Sequence, residues 1–376
     1  MITRTITRLA LATGFIALAL FAASCQPQEK YYAREDFLHI KKMDTHVHLN
    51  ADDPALVKQA IADNFELLTI NVDYPDFPPA ADQYDRALAF KTAFPDTVHF
   101  AATFAMAGWG EPDYIEKAIA HLQDAREHGA VAVKVWKNVG MVVRDDDGQL
   151  VMIDDVRLDP IFSFLESANI PLIGHQGEPY NCWLPLDEMT VNNDREYFRE
   201  HPEYHMFLHP DMPGYEAQMS ARDQRLRKNS KMRFVGAHLA SLEWSVDELA
   251  AFLDQFPLAS VDMAARFGQL QSQSQQDRAR VREFFIRYQD RLIYASDLTH
   301  QPGDDSIVVA EDAHAKWIAD WLYLSSDEIM TVPEIDGEFS GLKLPSAVLD
   351  KIYYSNARAV FTKACSGNPA EKGCIQ

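Results

Sequence analysis

Cysteine is scarce in this chain, with four residues in 376. Four are too few for a disulfide-built scaffold, and none has the spacing of a metal site. Basic charge is also short: 35 Lys and Arg stand against 56 Asp and Glu, a formal net charge of −21. Such a surface repels phosphate backbones and excludes a sequence-independent nucleic-acid binder. No glycine-rich turn of the dinucleotide-cradling type follows the first strand-like segment. Beyond residue 24, no apolar run is long enough to cross a bilayer.

What is present begins with a leader. Arg4 and Arg8 precede the apolar run from Leu9 to Ala23, which matches a signal-peptide core and is short for a membrane span. Phe21-Ala22-Ala23-Ser24-Cys25 resembles a bacterial lipoprotein cleavage site, so Cys25 is the expected lipidated N-terminus. Ala22 departs from that pattern, where Leu is more usual, and leaves plain secretion or a retained anchor open. Gln26 in place of Asp fits sorting to the outer membrane. The expected organisation is a leader at 1–24, a linker at 25–40 and one domain at 41–376, held in the periplasm by its lipid. Cys365 and Cys374 flank a short polar tail and suit a small disulfide loop, which leaves Cys182 reduced.

Apolar, strand-like runs alternate with amphipathic segments along the rest of the chain. The runs are Lys42–Leu49, Leu67–Asp73, Val98–Met106, Ala130–Trp136, Ile170–His175, Met232–Leu239, Ala259–Met263 and Arg291–Asp297. Helical periodicity lies between them, with a capping box at Ser245 and Glu248 and a glycine stop at Gly129. Strand and helix in eight repeats predict a parallel sheet buried on both faces, and the spacing suits a closed (β/α)8 TIM-like barrel. A long loop insertion follows the fifth strand at Gly177–Gly214, rich in Pro, Asn, Trp, Tyr and His, and is expected as a lid or pocket wall.

Candidate chemistry sits at the strand ends. His46 and His48 flank one residue on an extended segment, so both imidazoles face one side and can hold one metal ion. His175, His238 and Asp297 end the fifth, sixth and eighth runs. Carboxyl ends of barrel strands converge on one mouth, which brings these five side chains together. A single histidine ending a strand is as often a hydrogen-bonded core residue; four histidines and an aspartate together at strand ends are not.

The segments Met43-Asp44-Thr45-His46-Val47-His48-Leu49, Pro171-Leu172-Ile173-Gly174-His175, Phe234-Val235-Gly236-Ala237-His238, Tyr294-Ala295-Ser296-Asp297 and Asn356-Ala357-Arg358-Ala359-Val360-Phe361 together resemble the amidohydrolase superfamily. More narrowly they resemble its amidohydrolase-related branch, which includes aminocarboxymuconate-semialdehyde decarboxylase. The resemblance spans Met43 to Phe361. It implies that His46, His48, His175 and Asp297 hold one divalent metal, with zinc expected. It makes His238 an acid/base, or a ligand where a second ion is present. Some members carbamylate a fourth-strand lysine to bridge two metals, and Lys134 stands at a similar position.

Lys134 shares a strand face with Trp136 and must lose much hydration inside a barrel. A bridging carbamate, an acid/base amine, a salt bridge to Asp297 and a snorkelling side chain near the barrel floor all answer that cost. Around the mouth, Trp136, Glu178, Asn181 and Trp183 are candidate substrate contacts, and Arg266 is the candidate grip for an anionic group. His201, His205 and His209 read as surface residues between Pro202 and Pro210, and His121 and His128 as inert residues of a polar helix.

The function expected from these features is a metal-dependent hydrolase of an ester, lactone or amide bond in a small organic or sugar-derived substrate. Metal-activated water would attack, with Asp297 taking its proton and His238 polarising the substrate. The alternative is a metal-dependent lyase, a decarboxylase or hydratase/dehydratase, acting on a carboxylated or sugar-derived acid. A homodimer is allowed, with no specific interface signal in the sequence.

Overall fold

The computed structural model describes residues 29–361. The leader, Cys25 and the pair Cys365 and Cys374 lie outside the described residues. Part of the expected linker is folded against the domain. A helical turn at Arg34–Leu38 buries Phe37 beside Phe65 and Trp321, and the Tyr32 hydroxyl donates to Asp350 at 2.7 Å.

Strands β1 (Lys42–Leu49), β2 (Phe65–Ile70), β3 (Val98–Thr103), β4 (Ala132–Val135), β5 (Leu172–Gly174), β6 (Phe234–Gly236), β7 (Ala259–Asp262) and β8 (Leu292–Ile293) pair in chain order, all parallel. A last piece, β9 (Leu298–His300), pairs with β1. β8 and β9 belong to one run. Between them Thr45 N donates to Tyr294 O and Asp297 N donates to His46 O, so contact with β1 continues across the break. The sheet therefore closes, as expected for a (β/α)8 barrel.

Period-two alternation sorts the strand residues into two layers. Leu68, Ile70, Ala101, Ala132, Ile173, Val235 and Ile293 fill the barrel interior. Their neighbours Leu67, Phe100, Val133, Leu172, Phe234 and Leu292 pack outward under the helices. β1 breaks the rule. Met43 belongs to the inner layer and Val47 to the outer one, although four positions apart they would share a face. The register of β1 against β2 shifts between Asp44 and Val47. That irregularity turns His46 and His48 inward, a common use of a strand bulge.

Most helices fall where periodicity put them. Ser245 caps Val246–Gln255 by accepting from Glu248 N, and Gly129 takes φ +103° just after Tyr114–Glu127. The helix Phe267–Arg287 follows β7 closely, and Phe267 and Leu270 are buried and bring its first turn into the core. The connection from β5 to the helix Tyr215–Lys228 is not a bare loop. It holds the helix Asn192–Glu200 and four short 3-10 turns, packed on a small core of Cys182, Met189, Phe198 and Met206. Cys182 is free and buried, and burial pushes its thiol up.

One charged cluster ties β2 to β3 and to the C-terminal helices. Glu66 accepts from His99 at 2.9 Å and from Tyr354 at 3.0 Å, and pairs with Lys41 at 2.6 Å. Burial alone would raise its pKa, but His99 and Lys41 outweigh burial and hold it at about 2 instead of 4.5. Because the folded value is the depressed one, this stabilisation is complete above about pH 4.5 and is lost as pH falls toward 2. Glu66→Gln should therefore cost about 2 kcal/mol at pH 7. Urea midpoints at pH 7 and pH 2.5 should show the gap to the parent protein shrinking in acid; an unchanged gap contradicts this.

Candidate metal centre

Nine of the side chains singled out for chemistry line one chamber of about 200 Å³ at the carboxyl ends of the strands: His46, His48, Lys134, Trp136, His175, Glu178, His238, Arg266 and Asp297. Cys25, the lipidation site, is outside the described residues.

The imidazoles are held by their outer nitrogens. His46 Nδ1 meets Asp262 Oδ2 at 3.0 Å, His48 Nδ1 meets Ile70 O at 2.9 Å, and His238 Nδ1 meets Ala264 O at 2.9 Å. A carbonyl or carboxylate can only accept, so each Nδ1 carries the proton and each Nε2 presents a lone pair. His46 Nε2 and His48 Nε2 both lie 3.4 Å from Asp297 Oδ1, and His175 Nε2 is buried with no hydrogen-bond partner. Burial holds His175 and His238 well below the usual imidazole pKa, and His46 below it as well. Burial would raise Asp297, but the positive charge that His238, His46 and His48 carry when protonated outweighs it and holds the carboxylate far below its usual range.

Apart from Lys134, whose Nζ lies 3.4 Å from His46 Nε2, acceptors therefore face acceptors across this chamber. Each one left unpaired in a buried setting costs about 1–3 kcal/mol. A divalent cation among them removes that cost, and nitrogen and carboxylate oxygen are the donors zinc and its neighbours take. The residues present fit a metal. The tightest group of donor atoms is His46, His238 and Asp297, all within 4.8 Å of one another. His46 and Asp297 belong to the expected ligand set; His238, expected behind it, stands as close.

His238 owes its place to an unusual turn rather than to the end of a strand. Residues His238, Leu239, Ala240 and Ser241 all have φ between 56° and 58°. Left-handed backbone costs about 1–2 kcal/mol per non-glycine residue, so the turn needs anchors. Asp262 accepts from His238 N at 2.8 Å, Arg222 donates to Ala240 O at 2.6 Å, and Ser241 Oγ donates to Gln176 O at 2.9 Å. The turn folds back onto β6 so closely that a Cβ on Gly236 would lie 2.4 Å from Ala240 Cβ.

Lys134 is fully buried, with Nζ 3.4 Å from His46 Nε2. That excludes the snorkelling reading, and its close neighbour is His46 instead of Asp297. Burial lowers it to about 8, against the pull of Asp262 and Asp297. Arg266 is buried with Nε unpaired, and its Nη1 donates only to Ala265 O, at 3.0 Å. Glu178 pairs with Lys137. Tyr74, Phe77 and Trp136 form an aromatic wall, with Tyr74 5.0 Å from Phe77 and 4.7 Å from Trp136 between ring centres.

Several expectations change. Asn181 is bonded to Asp194 and Thr190 in the lid and does not face the chamber. Trp183 packs on Tyr215. His205 is buried, its Nε2 bonded to Leu184 O at 2.8 Å, because the lid has a core of its own. Two aspartates were missed. Asp262 orients His46 and the left-handed turn together, and Asp44 fills the β1 irregularity by accepting from Ser296 N, His46 N and Trp317 Nε1. In sequence, Asp262 is the one charged residue in a short strand, the only signal available.

A family model described as Amidohydrolase matches residues 43–363. The chain belongs to the amidohydrolase family and is an enzyme of that superfamily. No curated protein matches it. Among solved structures, 2,6-dihydroxybenzoate decarboxylase from Rhizobium is 14% identical with a TM-score of 0.50, the match covering 86% of this chain and 98% of that one. A manganese-bound 5-carboxyvanillate decarboxylase from Novosphingobium aromaticivorans is 12% identical with a TM-score of 0.47, covering 89% and 99%.

Asp262→Asn keeps size and can still bond His46, but removes the charge that makes Nε2 a strong donor. Zinc affinity by competition with a chelator should fall about 10–100-fold, with the far-ultraviolet spectrum unchanged. Unaltered affinity would remove Asp262 from the site.

Proposed function

We propose that this enzyme is a metal-dependent lyase that decarboxylates a small planar, hydroxylated carboxylic acid. The observation that carries the proposal is Arg266, a buried guanidinium in no direct ion pair, which buried Glu243 reaches only from beyond ion-pair distance, in the same chamber as Tyr74, Phe77 and Trp136. A buried cation without a close counterion is costly and is relieved by an anionic substrate group. The wall is aromatic, with its rings tilted 46° and 66° to Tyr74, which suits edge-to-face contact with a ring. The 2,6-dihydroxybenzoate decarboxylase of similar fold supports the same reading.

His46, His48, His175 and Asp297 would hold the ion. When bound, the ion supplies a Lewis acid that stabilises negative charge on a substrate oxygen. His238, its Nδ1 proton committed to Ala264 O, offers Nε2 to take the proton of a substrate hydroxyl. Arg266 holds the carboxylate until the carbon–carbon bond breaks and carbon dioxide leaves. Lys134, an ammonium with its pKa brought down to about 8, delivers a proton to the carbon from which the carboxylate has left. A neutral fraction of this amine is also the form that carbamylation requires, and two ions would then be held. The proposed setting is the periplasm, through lipidated Cys25.

Hydrolysis of an ester, lactone or amide is the second reading. Asp297 favours it: 30% of its side chain is exposed, against 1% for His46, so water reaches it.

The two readings separate by isotope. Metal-loaded enzyme turning over hydroxybenzoates in heavy water should release carbon dioxide and place one deuterium on the ring. Arg266→Leu should lower kcat/KM at least 100-fold. Solvent oxygen-18 appearing in a product that keeps its carboxylate would overturn decarboxylation in favour of hydrolysis.

A further inference from the structure

A second chamber of about 250 Å³ adjoins the metal chamber, and Tyr74, Trp136, Lys137 and Glu178 line both. Its own walls are Met141, Val142, Tyr197, Tyr204, Met206 and Met212, with Glu203 and His209 among them. All but Met141 and Val142 come from the lid after β5. The inner chamber alone is below the about 300–1,000 Å³ usual for ligand sites, and the two together reach it.

The outer walls state what they would hold. Three methionine thioethers and two tyrosine rings make an apolar, adaptable lining that favours aromatic groups. The Tyr197 and Tyr204 rings lie within 8° of parallel, at 6.3 Å. The Lys137–Glu178 pair stands at the junction with its charges already matched. Glu203, also on the wall, disfavours an anion there. Val142, Tyr197 and Tyr204 remain 61%, 41% and 42% exposed, apolar surface that an occupant would cover.

We propose that the outer chamber is a binding subsite for an uncharged aromatic arm, so that the substrate is a ring carboxylate bearing a second ring. The inference rests on the decarboxylase reading for the inner half of the substrate and goes beyond it for the outer half. Tyr74 and Trp136 sit between the halves and would contact both rings.

Binding to the zinc-loaded protein tests this by calorimetry with 2-hydroxybenzoate, its 4-phenyl and 5-phenyl derivatives, and neutral 4-phenylphenol. At least one phenyl derivative should bind 10-fold or more tighter than 2-hydroxybenzoate. Tyr204→Ala and Val142→Glu, both at exposed positions the fold tolerates, should each abolish that gain and leave 2-hydroxybenzoate affinity as it was. No gain, or a gain that survives both substitutions, refutes the subsite. Should 2-hydroxybenzoate itself fail to bind, 4-phenylphenol decides. Its binding, lost in Tyr204→Ala, upholds the subsite while the carboxylate reading falls. Its failure to bind, or indifference to Tyr204→Ala, refutes the subsite too.

Discussion

Nitrogen lone pairs turned toward one another in a buried space are unstable without a cation among them. His46, His48 and His238 each give their Nδ1 proton to a fixed acceptor and face the chamber with Nε2. Asp297 stays ionised beside them, and His175 Nε2 has no partner. With the neutral tautomers fixed by the outer bonds, no shift of a ring proton satisfies every acceptor unless an imidazole takes up a second proton, which burial opposes for His46 and His238. A metal ion satisfies them, and the rest of the chamber is arranged around that need.

Much of the barrel serves to aim these groups. A regular β1 would carry Val47 to the same layer as Met43; the shift filled by Asp44 lets both histidines of the pair point inward while Val47 packs under the helices. The left-handed run at 238–241 does the same for His238, and Asp262 holds its first amide while bonding His46. Strain of this kind persists only where surrounding bonds over-determine it, and such places concentrate at functional sites. The lid adds a layer with its own small core, so the outer chamber is built on packed turns and a helix rather than on a mobile loop.

Alternation and spacing made the barrel legible in the sequence. They also put Lys134 on the inner face with Trp136, because β4 is regular. The His-x-His pair was legible for a partly accidental reason: its two residues share a face whether or not the strand is bulged, so the shift at Asp44–Val47 left no trace in the pattern. The turn at His238 was hidden because His-Leu-Ala-Ser has no glycine to announce left-handed backbone. Asp262 was hidden because its role depends on His46, 216 positions away. The lid helix Asn192–Glu200 was hidden by the surrounding Pro, Asn and Tyr, whose turns pack on Cys182 and Phe198, contacts that periodicity does not encode.

Anomalous scattering from crystals of the zinc-loaded protein is the most direct measurement. A zinc peak is expected in the inner chamber, with bonds of about 2.0–2.2 Å to His46 Nε2 and an Asp297 carboxylate oxygen. A chamber without a peak after zinc loading, or zinc bound only elsewhere on the protein, would contradict a shared cation as the reason these side chains converge.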